Sequence, residues 1–255
     1  MKDRTMPNTG LLNIYFTAGY PQLESLHYIL PALMEGDVDF VEIGLPYSDP
    51  LADGPVIQMA GKKALDNGMN IDVLFDQLSK HSALMIQKPV YLMGYFNQML
   101  QFGIEKFLIA CQKVKVTGLI IPDLPMEYFE KEMKDLFEKY GIKITFLVSP
   151  LTSEERIKKA SELSTGFVYV VSSPSITGTK AVLDEKMILY LKKLAGMKLN
   201  RVLLLGFGIQ DKKSFELASA YLDGAIVGTS FLKQLDKGET DKNQILQFLA
   251  KFKKN

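Results

Sequence analysis

The sequence is poor in residues on which several classes of protein depend. It has one cysteine, Cys111, among 255 residues, so it forms no internal disulfide and no four-cysteine zinc site. Its two histidines, His27 and His81, lie in predicted helices away from the predicted site, and no Ser–His arrangement is available for hydrolysis. It has no tryptophan, and no apolar run approaches the roughly 18 residues of a membrane span.

The chain also lacks a marked excess of positive or negative charge. The 30 basic and 29 acidic residues leave a net charge of +1, which indicates neither a nucleic-acid partner nor a membrane surface. We find no signal peptide and expect a reducing, cytoplasmic location. No predicted strand ends in a lysine, which argues against a Schiff-base aldolase. Asp49, Asp53 and Asp123 are possible metal ligands, but no histidine accompanies them and two of them share a loop, so we predict no metal site.

Apolar runs of strand length alternate with helical patterns along the whole chain. The predicted strands cover residues 11–17, a run from 40, 89–93, 118–121, 142–148, 166–171, 201–205 and 224–227. They are continuous apolar runs, as expected for strands that are covered on both faces. Thr152, with Glu155 three residues later, predicts a capping box on the helix after the fifth strand. Eight such units predict one (β/α)8 barrel domain over residues 1–255, with an open doubly wound sheet as the alternative.

The stretch F-V-E-I-G-L-P-Y-S-D-P-L-A-D-G-P, from Phe40 to Pro55, carries the strongest chemical signal. Glu42 interrupts an apolar strand, where a carboxylate costs free energy unless it is partnered or protonated. Asp49 and Asp53 lie in the loop that follows. We expect burial to raise the pKa of Glu42, whereas a loop aspartate should stay ionised. The two carboxyls are a candidate acid–base pair; the alternative is that Glu42 caps a strand and the aspartates shape turns.

Further candidate residues lie at the barrel face that carries active sites. Tyr95 and Asn97 follow the third strand, Asp123 follows the fourth, Tyr169 lies within the sixth, and Thr177 and Gly178 lie in the loop after it. The turns Gly206-Phe207-Gly208 and Gly228-Thr229-Ser230 follow the seventh and eighth strands, where barrels often bind phosphate through backbone N–H groups. The alternative for these turns is an ordinary strand-to-helix connection.

The residues around Glu42 resemble the tryptophan synthase α subunit family. Shorter matches keep the family's order over nearly the whole chain: I-Y-F-T-A-G-Y-P, Y-L-M-G-Y-F-N, I-I-P-D-L-P, G-F-V-Y, I-T-G, L-G-F-G-I and D-G-A-I-V-G. The resemblance implies an α/β barrel without a cofactor on this chain. It also implies the retro-aldol cleavage of indole-3-glycerol phosphate to indole and glyceraldehyde 3-phosphate.

The resemblance also implies roles for single residues. Glu42 would protonate the indole ring carbon and is a candidate for the base, Asp53 would hydrogen-bond the ring N–H, and Tyr169 would assist in positioning. Further expected site residues are Phe16 and Tyr95 for the indole slot, Gly178, Gly208, Gly228 and Thr229 for the phosphate, and Asp49 and Thr177 for allosteric coupling. The implied partner is a β subunit that uses pyridoxal phosphate, in an α₂β₂ heterotetramer that passes indole between the sites.

One loop departs from the family's pattern. Most members have arginine and glycine where this chain has Ser173 and Ser175, and Pro174 stiffens the loop between them. Because loop closure completes such sites, the departure predicts a weakened lyase that would act mainly as an activator of the β subunit. The intact carboxyls and glycine turns favour instead an active lyase subunit. A different phosphate-binding barrel, such as a sugar-phosphate isomerase, would require the dense match around Glu42 to be a coincidence.

Overall fold

Eight parallel strands close into one barrel. The computed structural model describes residues 10–171, 185–238 and 240–252. Its strands are β1 (Leu11–Thr17), β2 (Phe40–Gly44), β3 (Val90–Met93), β4 (Gly118–Ile120), β5 (Lys143–Val148), β6 (Val168–Val170), β7 (Leu203–Leu205) and β8 (Gly224–Val227). Each strand pairs with the next along the chain, and β8 pairs with β1. The predicted (β/α)8 barrel is confirmed, and closure excludes the open sheet. The prediction of one domain over residues 1–255 stays a prediction, which the continuous sheet supports.

Helices follow every strand. They are α1 (Leu26–Glu35), α2 (Pro55–Asp66), α3 (Ile71–Ser79), α4 (Phe96–Phe102), α5 (Ile104–Lys113), α6 (Met126–Tyr128), α7 (Lys134–Tyr140), α8 (Glu154–Leu163), α9 (Glu185–Gly196), α10 (Lys212–Ser219), α11 (Thr229–Asp236) and α12 (Lys242–Ala250). A 3-10 turn, Leu23–Ser25, precedes α1, and a π turn, Phe129–Met133, joins α6 to α7. Within the described residues, none of these helices has both the length and the apolar character needed to cross a membrane.

The predicted capping box on α8 is wrong by one residue. The N-cap is Ser153, whose side chain accepts a hydrogen bond from the Arg156 N–H. Thr152 instead accepts from the Ser149 N–H at 2.9 Å, which shapes the turn after β5. Two neighbouring hydroxyl residues can both serve as caps, so the backbone path of the preceding turn decides between them.

The barrel interior and its outer wall are separated by the alternation of strand side chains. Phe40, Tyr91 and Phe167 meet inside, with ring centroids 5.1 to 6.3 Å apart. Glu42 follows Phe40 by two residues, so it lies on the same face and closer to the C-terminal ends of the strands. The three rings therefore fill the barrel beneath Glu42 and separate it from solvent at the other end.

The opposite face of each strand packs against the helices. On β1 this face holds Leu12, Ile14 and Phe16, all fully buried, with α2 and α11 packed against the strand. Full burial of such side chains stabilises the fold by about 1.5–3 kcal/mol each before the opposing entropy is counted. These contacts on the outer face hold β1 in place, so the inward face of the strand can carry polar side chains.

The closure of the barrel depends on a close approach at Gly224. A Cβ at this position would lie 2.0 Å from the Leu11 carbonyl oxygen, which belongs to the paired strand β1. We expect Gly224→Ala to lower the free energy of unfolding by about 3 kcal/mol, because backbone atoms cannot yield as a flexible side chain can. Urea unfolding at neutral pH measures the change.

Gly61→Ala is the matched control, since Gly61 lies inside α2 with open space around the added methyl group. This substitution should stabilise the fold by about 0.5–1 kcal/mol through helix propensity. Equal stability of the two variants would contradict the role of Gly224 in closure.

Candidate active site

Glu42 is a fully buried carboxyl inside the barrel. Its exposed fraction is 0%, and its Oε2 accepts a hydrogen bond from Asn13 Nδ2 at 3.1 Å. Its Oε1 has no hydrogen-bond partner among the described residues. Burial raises the pKa of Glu42 from its ordinary 4.5 to about 8; the Asn13 hydrogen bond lowers this pKa, and the charge of Asp53 raises it. Glu42 is therefore a carboxylic acid at neutral pH, as the sequence predicts.

Asp53 lies in the loop between β2 and α2 and acts electrostatically on Glu42. Burial raises the pKa of Asp53 from 3.8 to about 6, and a hydrogen bond from the Tyr95 hydroxyl lowers it. The carboxyl is therefore mainly ionised at neutral pH, as expected for a loop aspartate, although its pKa has moved toward neutrality. A neutral Glu42 and an ionised Asp53 form a pair with separated acid and anion roles.

The loop that carries Asp53 is fastened to the start of α4. The Ala52 N–H donates to Tyr95 Oη at 2.9 Å, and Gln98 Nε2 donates to the Pro46 carbonyl at 2.9 Å. Tyr47 stacks on Tyr95, with ring centroids 5.1 Å apart. Because these contacts bridge two successive strand-to-helix connections, the position of Asp53 is set by tertiary contacts as well as by its own loop.

Two further tyrosines face the same interior. Tyr15 pairs with Glu42 in register, and its Oη lies 3.2 Å from Thr17 Oγ1. Tyr169 donates to the Gly206 carbonyl at 3.3 Å. Burial raises the pKa of both hydroxyls well above neutrality, so both stay protonated. The charges of Glu42 and Asp53 contribute to the raised pKa of each, which places all four groups in one electrostatic cluster.

Glycines at the strand ends make room for these rings. A Cβ on Gly44 would lie 2.1 Å from Tyr15 Oη, and a Cβ on Gly206 would lie 1.8 Å from the Tyr169 ring. Both distances are far inside van der Waals contact. The glycine that ends β2 and the one that follows β7 thus serve the tyrosines packed across the barrel.

Phe16 does not face this interior. Side chains alternate along β1, so Phe16 lies on the outer face with Ile14, whereas Asn13 and Tyr15 lie on the inner face with Glu42. The sequence-based prediction omits Asn13 and Tyr15. The signal that identifies Glu42, a polar residue within a buried strand, is present at Asn13 as well and could have identified it.

The two glycine turns lie side by side. Gly208 follows β7 with a φ of 81°, in the left-handed region that favours glycine. Gly228 precedes α11, and Ser230 Oγ donates to the Ile209 carbonyl at 3.3 Å, which joins the turns. The first backbone N–H groups of a helix have no partner within it, so the start of α11 at Thr229 can bind an anion. Gly178, the remaining predicted phosphate ligand, lies outside the described residues.

The remaining predicted polar residues have other positions. Asp49 lies exposed on the loop after β2 and accepts from Ser48 Oγ at 2.6 Å. Asp123 accepts from the Phe96 N–H at 2.8 Å and so holds the start of α4. Thr177 lies outside the described residues. The described part of the chain contains no cluster of three or more His, Cys, Asp or Glu side chains arranged to hold a metal ion.

The closed barrel, with a protonated Glu42 and an ionised Asp53 in one electrostatic cluster, defines a (β/α)8-barrel protein with a candidate acid–base site. The family model described as "Tryptophan synthase alpha chain" matches residues 1–255. This chain belongs to the tryptophan synthase alpha chain family.

Individual relatives agree with this assignment. The tryptophan synthase alpha chain of Christiangramia forsetii is 44% identical over 243 residues, which cover 95% of this chain and 94% of the relative. That of Karelsulcia muelleri is 45% identical over 234 residues, covering 92% and 91%. The solved alpha subunit of Campylobacter jejuni is 31% identical, covers 98% of both chains and superposes with a TM-score of 0.82. A structure of tryptophan synthase from Mycobacterium tuberculosis is 26% identical, covers 97% and 94%, and superposes with a TM-score of 0.85.

The raised pKa of Glu42 predicts a pH dependence of stability. Between about pH 4.5 and 8 the folded chain holds a proton on Glu42 that the unfolded chain releases, so the free energy of unfolding falls as pH rises through this window. Glu42→Gln removes this dependence. Relative to wild type, the variant should therefore gain stability from pH 5 to pH 9, by a few kcal/mol at about 1.4 kcal/mol per pKa unit.

Denaturant unfolding of both proteins at pH 5, 7 and 9 measures this effect. Glu155→Gln, at an exposed position on α8, controls for the loss of one carboxylate from the chain. Parallel stability curves for wild type and Glu42→Gln would show that Glu42 has the same pKa in the folded and the unfolded chain.

The Tyr95 hydroxyl predicts a coupling between α4 and Asp53. Tyr95→Phe removes the hydrogen bond that lowers the pKa of Asp53 and the acceptor of the Ala52 N–H. We expect the pKa of Asp53 to rise further and the fold to lose about 1 kcal/mol. Carbon-13 NMR of labelled aspartate carboxyls, assigned with Asp53→Asn, measures the midpoint. Tyr128→Phe, at an exposed hydroxyl, is the control, and an unchanged Asp53 midpoint in Tyr95→Phe would refute the coupling.

Proposed function

We propose that this chain is the α subunit of a tryptophan synthase and cleaves indole-3-glycerol phosphate to indole and glyceraldehyde 3-phosphate. Family membership supports a lyase, and the observation that carries the assignment is the protonated Glu42 beside the ionised Asp53. A retro-aldol step on an indole needs an acid that is still protonated at neutral pH, together with an anion near the ring nitrogen. An ordinary carboxyl would supply only the anion.

The proposed reaction begins with proton transfer from Glu42 to the indole ring carbon that bears the glycerol chain. The ring becomes a cation, and the Asp53 carboxylate accepts a hydrogen bond from its N–H and stabilises the charge. The bond between the ring carbon and the hydroxyl-bearing carbon of the side chain then breaks. Its electron pair returns to the ring, and the hydroxyl loses its proton as the aldehyde forms. The Glu42 carboxylate left by the first step takes this proton and is restored as the acid.

We assign the indole slot to the tyrosines around this pair. Tyr95 is bonded to the Asp53 loop, and Tyr15 and Tyr169 share the electrostatic cluster of Glu42 and Asp53. Tyr15 takes the place predicted for Phe16, which lies on the outer face of β1. Tyr169 positions the substrate through a hydroxyl that remains a donor at neutral pH.

The phosphate is assigned to the turns after β7 and β8. Gly208, Gly228 and the N-terminus of α11 at Thr229 present backbone to this side of the barrel, and neither turn contains lysine or arginine. Binding would therefore rest on backbone N–H groups and hydroxyls. Gly178 belongs to the same proposal through its family motif alone.

The proposal includes a partner. The family's β subunit carries pyridoxal phosphate and would receive the indole within an α₂β₂ heterotetramer, whereas this chain would need no cofactor of its own. Asp49 is exposed on the loop whose other end carries Asp53, which suits a residue that transmits the state of the site to a docked subunit. Thr177 would act in the same coupling. We propose the cytoplasm as the location and neither nucleic acid nor membrane as a partner.

The weakened-lyase alternative rests on Ser173, Pro174 and Ser175, which lie outside the described residues. No observation on the described residues favours it. The acid, the anion and the glycine turns on which the full reaction depends are all present.

Substitution of the two carboxyls tests the proposed function. We expect Glu42→Gln to lower indole release from indole-3-glycerol phosphate by about 10³-fold, since no acid remains, and Asp53→Asn by about 10²-fold. Release is measured with and without a tryptophan synthase β subunit. Glu155→Gln should retain wild-type turnover.

Two outcomes would change the assignment. Turnover by Glu42→Gln above about a tenth of wild type would remove Glu42 as the acid. A wild-type chain without turnover that still stimulates the partner's reaction of indole with serine would favour the regulatory alternative.

A further inference from the structure

Asn13 is an unusual residue for its position. It lies in the middle of β1, in the run Leu-Leu-Asn-Ile-Tyr-Phe-Thr, and its exposed fraction is 0%. A buried amide costs free energy unless its donors and acceptors are paired. Its one side-chain hydrogen bond within the described residues runs from Nδ2 to Glu42 Oε2. An amide that contributes to the fold alone would be expected to pair its oxygen as well.

Each of the two side chains in this contact also has an oxygen atom without a hydrogen bond among the described residues. Asn13 Oδ1 and Glu42 Oε1 are both buried, and neither has a hydrogen-bond partner among the described residues. The amide nitrogen and oxygen of asparagine are almost equal in shape, and a half-turn of the amide exchanges a donor for an acceptor. An ionised Glu42 accepts from Nδ2, whereas a protonated Glu42 can donate its O–H to Oδ1. One side chain can thus partner both forms of the carboxyl.

Among the described residues, no other side chain is hydrogen-bonded to Glu42. The titratable groups that face it are Tyr15 on β1, Tyr91 opposite it on β3, Tyr169 on β6 and Asp53 on the loop after β2. The charge of Asp53 disfavours an ionised Glu42, and none of these groups is a cation. Among the described residues, the Asn13 hydrogen bond is the interaction that lowers the pKa of Glu42. Without it, burial and Asp53 would hold the proton more tightly.

We propose that Asn13 is a positioning residue that holds Glu42 in both protonation states, donating through Nδ2 to the carboxylate and accepting through Oδ1 from the acid. This inference rests on the proposed function, in which Glu42 gives a proton to the ring carbon and recovers one from the hydroxyl. An acid held too tightly by its surroundings transfers its proton slowly. By stabilising the carboxylate inside an apolar barrel, Asn13 lets Glu42 release its proton. The same contact keeps the carboxyl group in one orientation through the cycle.

The test begins with the wild-type protein and needs no substrate. The carbon-13 signal of the labelled Glu42 carboxyl, assigned with Glu42→Gln, and the side-chain amide signals of Asn13 are followed by NMR from pH 5 to pH 10. Both should titrate with one midpoint, because the amide exchanges donor for acceptor as the carboxyl changes form. Asn13 signals that do not change through the Glu42 midpoint would overturn the proposal, whether or not any variant folds.

Asn13→Leu then removes the donor and the acceptor while keeping the branched shape of the side chain. The Glu42 midpoint should rise by about one pH unit or more, because the hydrogen bond to the carboxylate is the stronger of the two that are lost. In indole release, kcat at pH 7 should fall about tenfold or more, and the alkaline limb of the pH profile should move upward with the Glu42 midpoint. KM should change little, because Asn13 lies beneath Glu42 and is not expected to touch the substrate.

Ser164→Ala is the matched control, because it removes another fully buried hydrogen bond, from the Phe146 N–H, away from Glu42. It should destabilise the chain without moving the Glu42 midpoint or the pH profile. A folded Asn13→Leu variant with an unchanged midpoint and profile would overturn the role of Asn13. Failure of the wild type to release indole, with the coupled NMR titration intact, would instead overturn the proposed function and with it the catalytic purpose of the pair.

Discussion

The site depends on one carboxyl group buried in a barrel. Glu42 is surrounded by low-dielectric interior, so the proton that an exposed glutamic acid would lose near pH 4.5 is kept to about pH 8. The aromatic layer of Phe40, Tyr91 and Phe167 closes the barrel beneath it. The raised pKa lowers the stability of the fold at alkaline pH, and it leaves at neutral pH the protonated carboxyl that the proposed reaction needs.

Much of the surrounding structure maintains that environment without taking part in chemistry. Gly44 and Gly206 leave room for tyrosine rings that an added methyl group would displace. Tyr95 and Gln98 fasten the loop that brings Asp53 over the strand ends. These contacts join different strand-to-helix units, so the site is a property of the closed barrel. Asp53 is itself half-buried by this arrangement, and its pKa moves toward neutrality as a result.

The site divides its electrostatic tasks between side chains and backbone. In the proposed reaction, the carboxyls at β2 and its loop transfer the proton and stabilise the developing positive charge, whereas the glycine turns after β7 and β8 offer backbone donors for an anion. The absence of lysine and arginine from these turns keeps cations away from the acid. A cation close to Glu42 would lower its pKa and remove the protonated form that the proposed reaction needs.

The sequence alone determined the eight strand–helix units, the buried carboxyl and the family, and it favoured a closed barrel over an open sheet. Its eight apolar runs, the glutamate inside one of them and the dense motif around it are local features, and each has one dominant physical reading. The tertiary structure decided what depends on neighbours: that Tyr15 rather than Phe16 faces the interior, that Ser153 rather than Thr152 caps α8, and that Asn13 contacts Glu42. Strand alternation tells which residues share a face, but only the closed barrel tells which face is the inside and which side chains of distant strands meet there.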